Sequence, residues 1–409
     1  MHDPSLELSR RQVLTWGAAS LTWLLAAPRA SAQRLLAADG AADERDDGSV
    51  LVLVQLGGGN DGLGTVVPWA DDGYHRARPV TGLDGQSVLR LDDYRGLHLE
   101  LARLHAAWGR GELAIVEGVG YPHPNRSHFK SMEIWGTASE RGKAAGDGWA
   151  ARLMSAAFAG DRLPVRAVHI GGQIVEPLLS TDHPVLCFET PASYRRATGG
   201  PELEGVLASA PRGAGTAGGR LRALLEDART SSDAVRTAVA RYRPSLPYPD
   251  HALAKALRVA AALIDARIGS RILSVTLSGF DTHADQPSLH PPMLRQLDAS
   301  LGAFLEDVRA GTRGRQVVVM VYSEFGRRVE ENASAGTDHG AAAPMFLAGV
   351  PVRGGLHGKH PSLTELDDGD LVHTTDFRSV YAAVIRDWFG ADPRAVLGED
   401  FPKLSLLQA

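Results

Sequence analysis

Five short segments of this sequence carry carboxylates, imidazoles and a hydroxyl at places where such groups can do chemistry. "QLGGGND" (55–61) ends an aliphatic run in three glycines, Asn60 and Asp61. A loop stripped of side chains either reverses the chain or lets something approach that carboxylate closely. "YPHPNRSHFKSMEIW" (121–135) brings Asn125, Arg126 and Ser127 through a proline-punctuated approach to the start of a helical pattern. "GFDTHADQ" (279–286) offers Asp281 and His283 at i and i+2, a spacing that turns both side chains to one side of an extended chain. "YSEFGRR" (322–328) adds Glu324 and Arg327, and "GTDHGAAAP" (336–344) adds Asp338 and His339. Hard oxygens and imidazoles together form the donor set of zinc or another transition metal. Each piece also has an ordinary reading: Asp61 as a turn or cap residue, Ser127 as a helix cap, Asp281 and His283 as a chance pair. "TDHP" (181–184) reads as a plain turn ended by Pro184. The conjunction of several such segments carries the metal-site expectation.

The elements between these segments explain how they can meet. "SVLVLVQL" (49–56) is an almost unbroken aliphatic run, as expected of a strand buried on both faces. Similar runs recur at 112–120, 165–172, 271–280, 316–325 and 344–350, with helical periodicity at 97–109, 251–269, 289–310 and 377–389. Strands alternating with helices predict an α/β domain with a largely parallel sheet and helices on both faces. In such sheets ligands bind beyond the carboxyl ends of the strands, where these segments fall. One domain over 49–409 is the simplest organisation, with the Gly-, Ala-, Pro- and Arg-rich stretch at about 191–250 as an insertion or cap.

Composition narrows the function classes. A 22% charged content, a formal net charge of -5 and no long basic stripe argue against nucleic acid as a partner. The single cysteine, Cys187, excludes an internal disulfide framework. Arg10 and Arg11, then an apolar stretch from Val13 to Ala27, then "ASA" (30–32), form a twin-arginine export signal over 1–32. Gly17, Ser20 and Thr22 interrupt that stretch, which is too short to span a membrane, so the mature form is expected to have no transmembrane segment. Residues 33–48 read as a flexible tether. Periplasmic or otherwise exported localisation follows, and twin-arginine cargo is carried folded, which suits a protein loaded beforehand with a cofactor.

The ordered set "GGGNDGLGTVVPW", "GVGYPHPNRSHFKSMEIW", "GFDTHADQ", "YSEFGRRVEENASAGTDHGAAAPMFLAG" and "TTDFRSVYAAVIRDWFG" resembles the bacterial domain-of-unknown-function 1501 family over almost the whole mature chain. The resemblance implies an alkaline phosphatase-like three-layer sandwich of the alkaline phosphatase and sulfatase superfamily. It also implies roles. Asp61 matches the first metal-binding carboxylate, Ser127 the nucleophile, and Asp281 with His283 the next ligand pair. Glu324 then stands where the superfamily has an Asp, and Phe325 where it has a His. His339 becomes the last ligand, or else Asp338 and His339 form the fourth pair and His357, His373 or Asp376 completes the set. The implied activity is an exported metal-dependent hydrolase of an anionic phosphate or sulfate ester. Ser127 would be its nucleophile and Arg126 its oxyanion clamp, with one or two divalent ions, zinc first, on Asp61, Asp281, His283, Glu324, Asp338 and His339. The absence of Cys at the nucleophile position argues against a formylglycine sulfatase. Two other readings stand beside it: a catalytically silent binding or assembly protein with an exported protein or a surface glycan as partner, and a phosphoglycerate-mutase-like transferase, which the export signal disfavours.

Overall fold

The strand Val50–Gly57 (β1) shows why its sequence is aliphatic but for Gln55: every residue from Val50 to Leu56 is buried. Val50, Val52, Val54 and Leu56 belong to one hydrophobic core while Leu51 and Leu53 belong to another, so the strand is covered on both faces. The computed structural model describes residues 48–139, 146–159, 164–181, 183–198 and 217–408. The export signal and all of the tether but Gly48 lie outside the described residues, as do residues 199–216 of the stretch read as an insertion.

The other strands of the main sheet are Leu113–Gly120 (β2), Ala167–Ile170 (β3), Val185–Phe188 (β4), Ile272–Ser278 (β5), Val317–Ser323 (β6), Ala343–Ala348 (β7), Gly355–His357 (β8) and Thr375–Asp376 (β9). Their order is β8-β2-β7-β6-β1-β5-β3-β4, with β9 also on β2. All the pairings are parallel except those of β7, which is antiparallel to both β2 and β6. Long aliphatic runs mark six of these strands in the sequence. The other three are short and lie toward the margins of the sheet, so no long apolar run is needed to bury them.

Helices cover the two faces. On one, Ala102–Gly109 (α1), Ala217–Arg241 (α4), Ala252–Asp265 (α5) and Gln286–Ala310 (α6) place Leu104, Val235, Leu257 and Phe304 in the core that holds Val52. On the other, His128–Thr137 (α2), Trp149–Ala157 (α3) and Phe377–Ala383 (α7) place Trp135, Trp149 and Tyr381 around Leu53. The three-layer α/β sandwich expected from the alternation is what the chain forms. No helix among the described residues is long and apolar enough to cross a membrane.

All four helix expectations shift at their ends, the pattern at 251–269 running only from Ala252 to Asp265. The pattern at 97–109 begins instead as a short strand and a single 3-10 turn. The α1 helix starts where Asp298 of α6 accepts hydrogen bonds from the amides of Arg103 (3.1 Å) and Leu104 (2.9 Å), satisfying first-turn donors that have no partner within the helix. The pattern at 289–310 begins earlier, at Gln286, with Pro287 in the first turn where its missing donor costs little. The pattern at 377–389 ends in a π turn, Val384–Trp388. In the described part of the stretch read as an insertion, α4 buries Val235 and Ala238 in the main core. The chain beyond it is pinned to α6 by Asp307, which accepts from Tyr242 (2.5 Å), the Ser245 amide (2.7 Å) and Tyr248 (2.8 Å).

Because β1, β2, β5 and β6 run the same way, their carboxyl ends share one edge of the sheet, and the reversed β7 starts there. That edge therefore receives the segments after Gly57, Gly120, Ser278 and Ser323, together with the one that leads into Ala343.

Candidate metal centre

The glycine loop is bare because two other strand-end segments pack onto it. Gly58 and Gly59 have φ of +117° and +71°, in the region that favours glycine. A Cβ on Gly58 would stand 2.5 Å from the amide nitrogen of Asp281, and one on Gly59 would stand 2.2 Å from the Phe325 ring. What the loop admits is thus the Asp281 segment after β5 and the Phe325 ring after β6.

Arg327 ties these segments together. Its side chain is fully buried, and its guanidinium donates to the carbonyls of Gly59 (2.6 Å), Thr337 (2.7 Å), Phe280 (3.0 Å) and Gly58, and to Asp281 Oδ1 at 2.7 Å. Partial burial works against the charge on Asp281, but the Arg327 guanidinium outweighs it and holds the carboxyl below the ordinary carboxylate range.

Around Asp281 stand three imidazoles, each oriented from behind by an acceptor. His339 Nδ1 lies 2.8 Å from the Arg126 carbonyl, which can only accept, so Nδ1 carries the proton. His283 Nδ1 lies 3.0 Å from Asp338 Oδ1, and His128 Nδ1 lies 2.9 Å from Glu324 Oε1. Both are carboxylate acceptors that favour the same tautomer. The three Nε2 atoms therefore turn lone pairs inward. His283 Nε2 and His339 Nε2 are 2.9 Å apart, each is 3.1 Å from Asp281 Oδ1, and His128 Nε2 is 3.5 Å from Asp281 Oδ2. Ligand atoms of His128, Asp281 and His339 all lie within 4.8 Å of one another, and His283 touches two of these three residues.

Lone pairs and a carboxylate oxygen at these separations repel unless a cation sits among them. Tetrahedral ligands about 2.0–2.1 Å from zinc stand roughly 3.3 Å from each other, so the observed 2.9–3.5 Å spacing suits such an ion. Imidazoles backed by carboxylates and a carbonyl are also the outer arrangement that metal-ligating histidines require. The residues present fit a zinc-type ion on His128, His339 and Asp281, with His283 Nε2 near enough to Asp281 and His339 to join them.

The candidates from the sequence fall into two groups. Asp281, His283 and His339 meet, and Asp338 stands directly behind His283. Glu324 is 1% exposed and its Oε1 accepts from the Gly58 amide (2.8 Å) as well as facing His128, so it supports an imidazole rather than joining the inward-facing atoms. Phe325 packs its ring against His128 and His339, with centroids 4.9 and 4.6 Å away. Asp61 is elsewhere. Fully buried, it takes both outer nitrogens of Arg78, at 2.5 and 2.9 Å, and the Gln286 amide at 2.6 Å. Burial would push its carboxyl up, but Arg78 prevails and holds it below the ordinary carboxylate range. His357 and Asp376 are also occupied elsewhere, on the Arg353 carbonyl and on Arg378. His373 is not part of the cluster.

Ser127 is the N-cap residue of α2 and is exposed, yet its hydroxyl makes no capping hydrogen bond. It sits between the Arg126 carbonyl that orients His339 and the His128 ring. The Arg126 guanidinium grips Asp370 (2.6 Å) and Asp368 (3.2 Å).

Sequence reasoning passed over His128 and Arg78. The signal for His128 was present, since it adjoins Ser127 in the first turn of the helix. Its role depends on Glu324, 196 positions away, and Arg78 meets Asp61 only through the folding of the 62–78 segment.

Residues 117–396 match the family described as "Protein of unknown function (DUF1501)". A comparison with curated proteins returns no match. Among solved structures, the chain is similar to Ps i-CgsB in complex with k-i-k-neocarrahexaose, at 10% identity and TM-score 0.38, covering 84% of this chain and 72% of that one. It is similar to the phosphonate monoester hydrolase SpPMH from Silicibacter pomeroyi, at 10% identity and TM-score 0.37, covering 86% and 77%. A third is the lipoteichoic acid synthase LtaP from Listeria monocytogenes, at 10% identity and TM-score 0.34, covering 80% and 72%.

Proposed function

Because this chain belongs to the DUF1501 family of proteins of unknown function, its activity has to be argued from the site, and from the site we propose an exported metal-dependent hydrolase of a phosphate or sulfate ester. The observation that carries the reading is the convergence of His128, His283 and His339 Nε2 on the Asp281 carboxylate. These four residues would hold one divalent ion of the zinc type, which supplies a Lewis acid for an ester oxygen. Asp61 and Glu324 are engaged with Arg78, Gly58 and His128, so a single ion is the favoured count.

The remaining work falls to the chain's own groups. Arg327 keeps Asp281 ionised and in place. Asp338, Glu324 and the Arg126 carbonyl hold the protons on the three Nδ1 atoms, so that the Nε2 lone pairs stay available. Ser127 offers a hydroxyl free of capping duty at the N-terminal end of α2, where amides without helical partners favour an anion. In this reading its Oγ attacks the phosphorus or sulfur while the bond to the leaving alcohol breaks, the hydroxyl proton ending on the departing alkoxide, and water then cleaves the seryl ester to return the serine and release the oxyanion.

Ser127→Ala tests the assignment against a merely structural serine. Turnover of aryl phosphate or aryl sulfate by metal-loaded protein is expected to fall at least about 100-fold. Stability should stay within about 0.5 kcal/mol, as for a surface change that removes no partner, whereas loss of a true cap costs about 1 kcal/mol. Full turnover in the variant removes Ser127 from the chemistry. No turnover by the metal-loaded wild type over a phosphate, phosphodiester and sulfate panel favours the binding or assembly reading instead.

Export is proposed from Arg10, Arg11 and the apolar stretch behind them. Arg10→Lys/Arg11→Lys is expected to leave the precursor in the cytoplasm with its folded domain intact. Fractionation of a tagged chain checks this, and wild-type periplasmic levels of the double variant would overturn it.

A further inference from the structure

Two arginines beside the candidate metal centre share one exposed carboxylate. Arg126 approaches Asp368 Oδ2 with Nη1 at 3.2 Å and Nη2 at 3.3 Å, and Arg328 Nη2 reaches the same oxygen at 3.3 Å. Asp368 and Gly369 form the tip of a two-stranded hairpin, Leu366–Asp367 with Asp370–Leu371. Their φ of +50° and +83° are what an Asp-Gly turn of this type adopts, so the tip is an ordinary turn. The base of the hairpin is held by Leu371, buried in a small core with Leu63, Val67 and Tyr74.

The two carboxylates of the hairpin differ in kind. Asp370 is 3% exposed and grips Arg126 closely, Nε at 2.8 Å and Nη2 at 2.6 Å from Oδ2, with Arg328 Nε 3.7 Å from Oδ1. It is a fixed buried partner that sets where the guanidinium lies. The Asp368 side chain is 76% exposed and its contacts are long, and exposed pairs of this sort are weak. Rotating that side chain into solvent needs no movement of the hairpin. It leaves two guanidinia against one carboxylate, a net positive pair of planar forks suited to a tetrahedral oxyanion.

Both arginines are tied through the backbone to the metal-binding cluster. The Arg126 carbonyl orients His339, and Arg328 follows Arg327, the residue that holds Asp281. The Arg328 amide also donates to the Asp338 carbonyl at 3.0 Å.

We propose that Arg126 and Arg328 form an oxyanion subsite that Asp368 closes in the resting chain, and that a sulfate or phosphate group enters by displacing the Asp368 carboxylate. The oxyanion is either free or a second anionic group on the substrate. The latter source rests on the hydrolase reading; the existence of the subsite does not.

Asp368→Asn removes the competing charge and keeps a residue that tolerates the left-handed turn position. Titration calorimetry with inorganic sulfate is expected to show binding about tenfold tighter than wild type, as when a closed state holding nine-tenths of the molecules is removed. Adding Arg328→Ala should abolish that gain, and adding His339→Ala should leave it intact, since the subsite is separate from the ion. Equal sulfate affinity in Asp368→Asn and wild type overturns the proposal, as does a gain that survives Arg328→Ala or vanishes with His339→Ala. A substrate-borne group shows as a lower KM of Asp368→Asn for a doubly anionic ester but not for a singly anionic one, and a free ion as tighter sulfate binding with both KM values unchanged. Absence of turnover on every ester counts against the hydrolase and leaves the sulfate result standing.

Discussion

His128→Ala is expected to strip the divalent ion from the protein on dialysis, with affinity falling more than about 100-fold, because one of only four inward-facing donors is removed. His339→Ala should do the same. Glu324→Gln, which weakens the acceptor behind His128 together with the bond from the Gly58 amide, should cost about 10–100-fold. Binding to the folded state alone stabilises it by about 2.7 kcal/mol at a hundredfold excess over Kd. Both alanine variants should therefore melt where chelator-treated wild type melts, and added zinc should no longer raise their Tm. Elemental analysis after dialysis, read beside thermal melts with and without chelator, checks the expectation. Wild-type metal content in His128→Ala would remove the centre as described, whatever esters the protein cleaves. Asp61→Asn is the contrasting variant: it should lose stability and, where folded, keep its ion.

The second large effect concerns the buried pair. Arg78→Met is expected to cost about 3–5 kcal/mol in urea unfolding, since it leaves the Asp61 carboxylate without its countercharge in a fully buried site. Adding Asp61→Leu should recover only part of this. The carbonyls of Val329 and Arg328 and the amide of Gln286, all bonded to the pair, lose their partners in the double variant. The pH dependence follows from the direction of the shift. The folded-state pKa of Asp61 is lowered, so the contribution of the pair is fully present above the unfolded carboxyl value of about 3.9 and is lost as pH falls through the folded value. In Arg78→Met the unpaired buried carboxyl has a raised folded-state pKa, and protonation relieves it. The stability gap between the two proteins should hence narrow from pH 7 toward pH 3. A gap independent of pH would show that Arg78 acts through packing alone.

The layered α/β plan was legible because it depends on local pattern. A strand buried on both faces has no polar face to encode, so β1, β2, β5 and β6 appear as mostly apolar runs broken only by isolated residues such as Gln55, Glu117 and Ser274, and the helices between them show their apolar stripes. Helix ends were less legible. The start of α1 is decided by Asp298, which lies on another helix.

By itself the sequence determined which residue types arrive at the carboxyl edge of the sheet: Asp61, Ser127, Asp281 with His283, Glu324, and Asp338 with His339. Parallel strands must deliver their following segments to a common edge, so position after an apolar run carries that information. Only the tertiary structure decided how these groups divide. A buried carboxylate takes the nearest compensating cation, and whether that is Arg78 or a metal ion depends on residues far apart in the chain. The same packing turned Glu324 toward the back of His128, gave Arg126 to the hairpin carboxylates, and aimed three imidazole nitrogens at Asp281. Distances of a few ångströms between four loops set these assignments, and no periodicity along the chain encodes them.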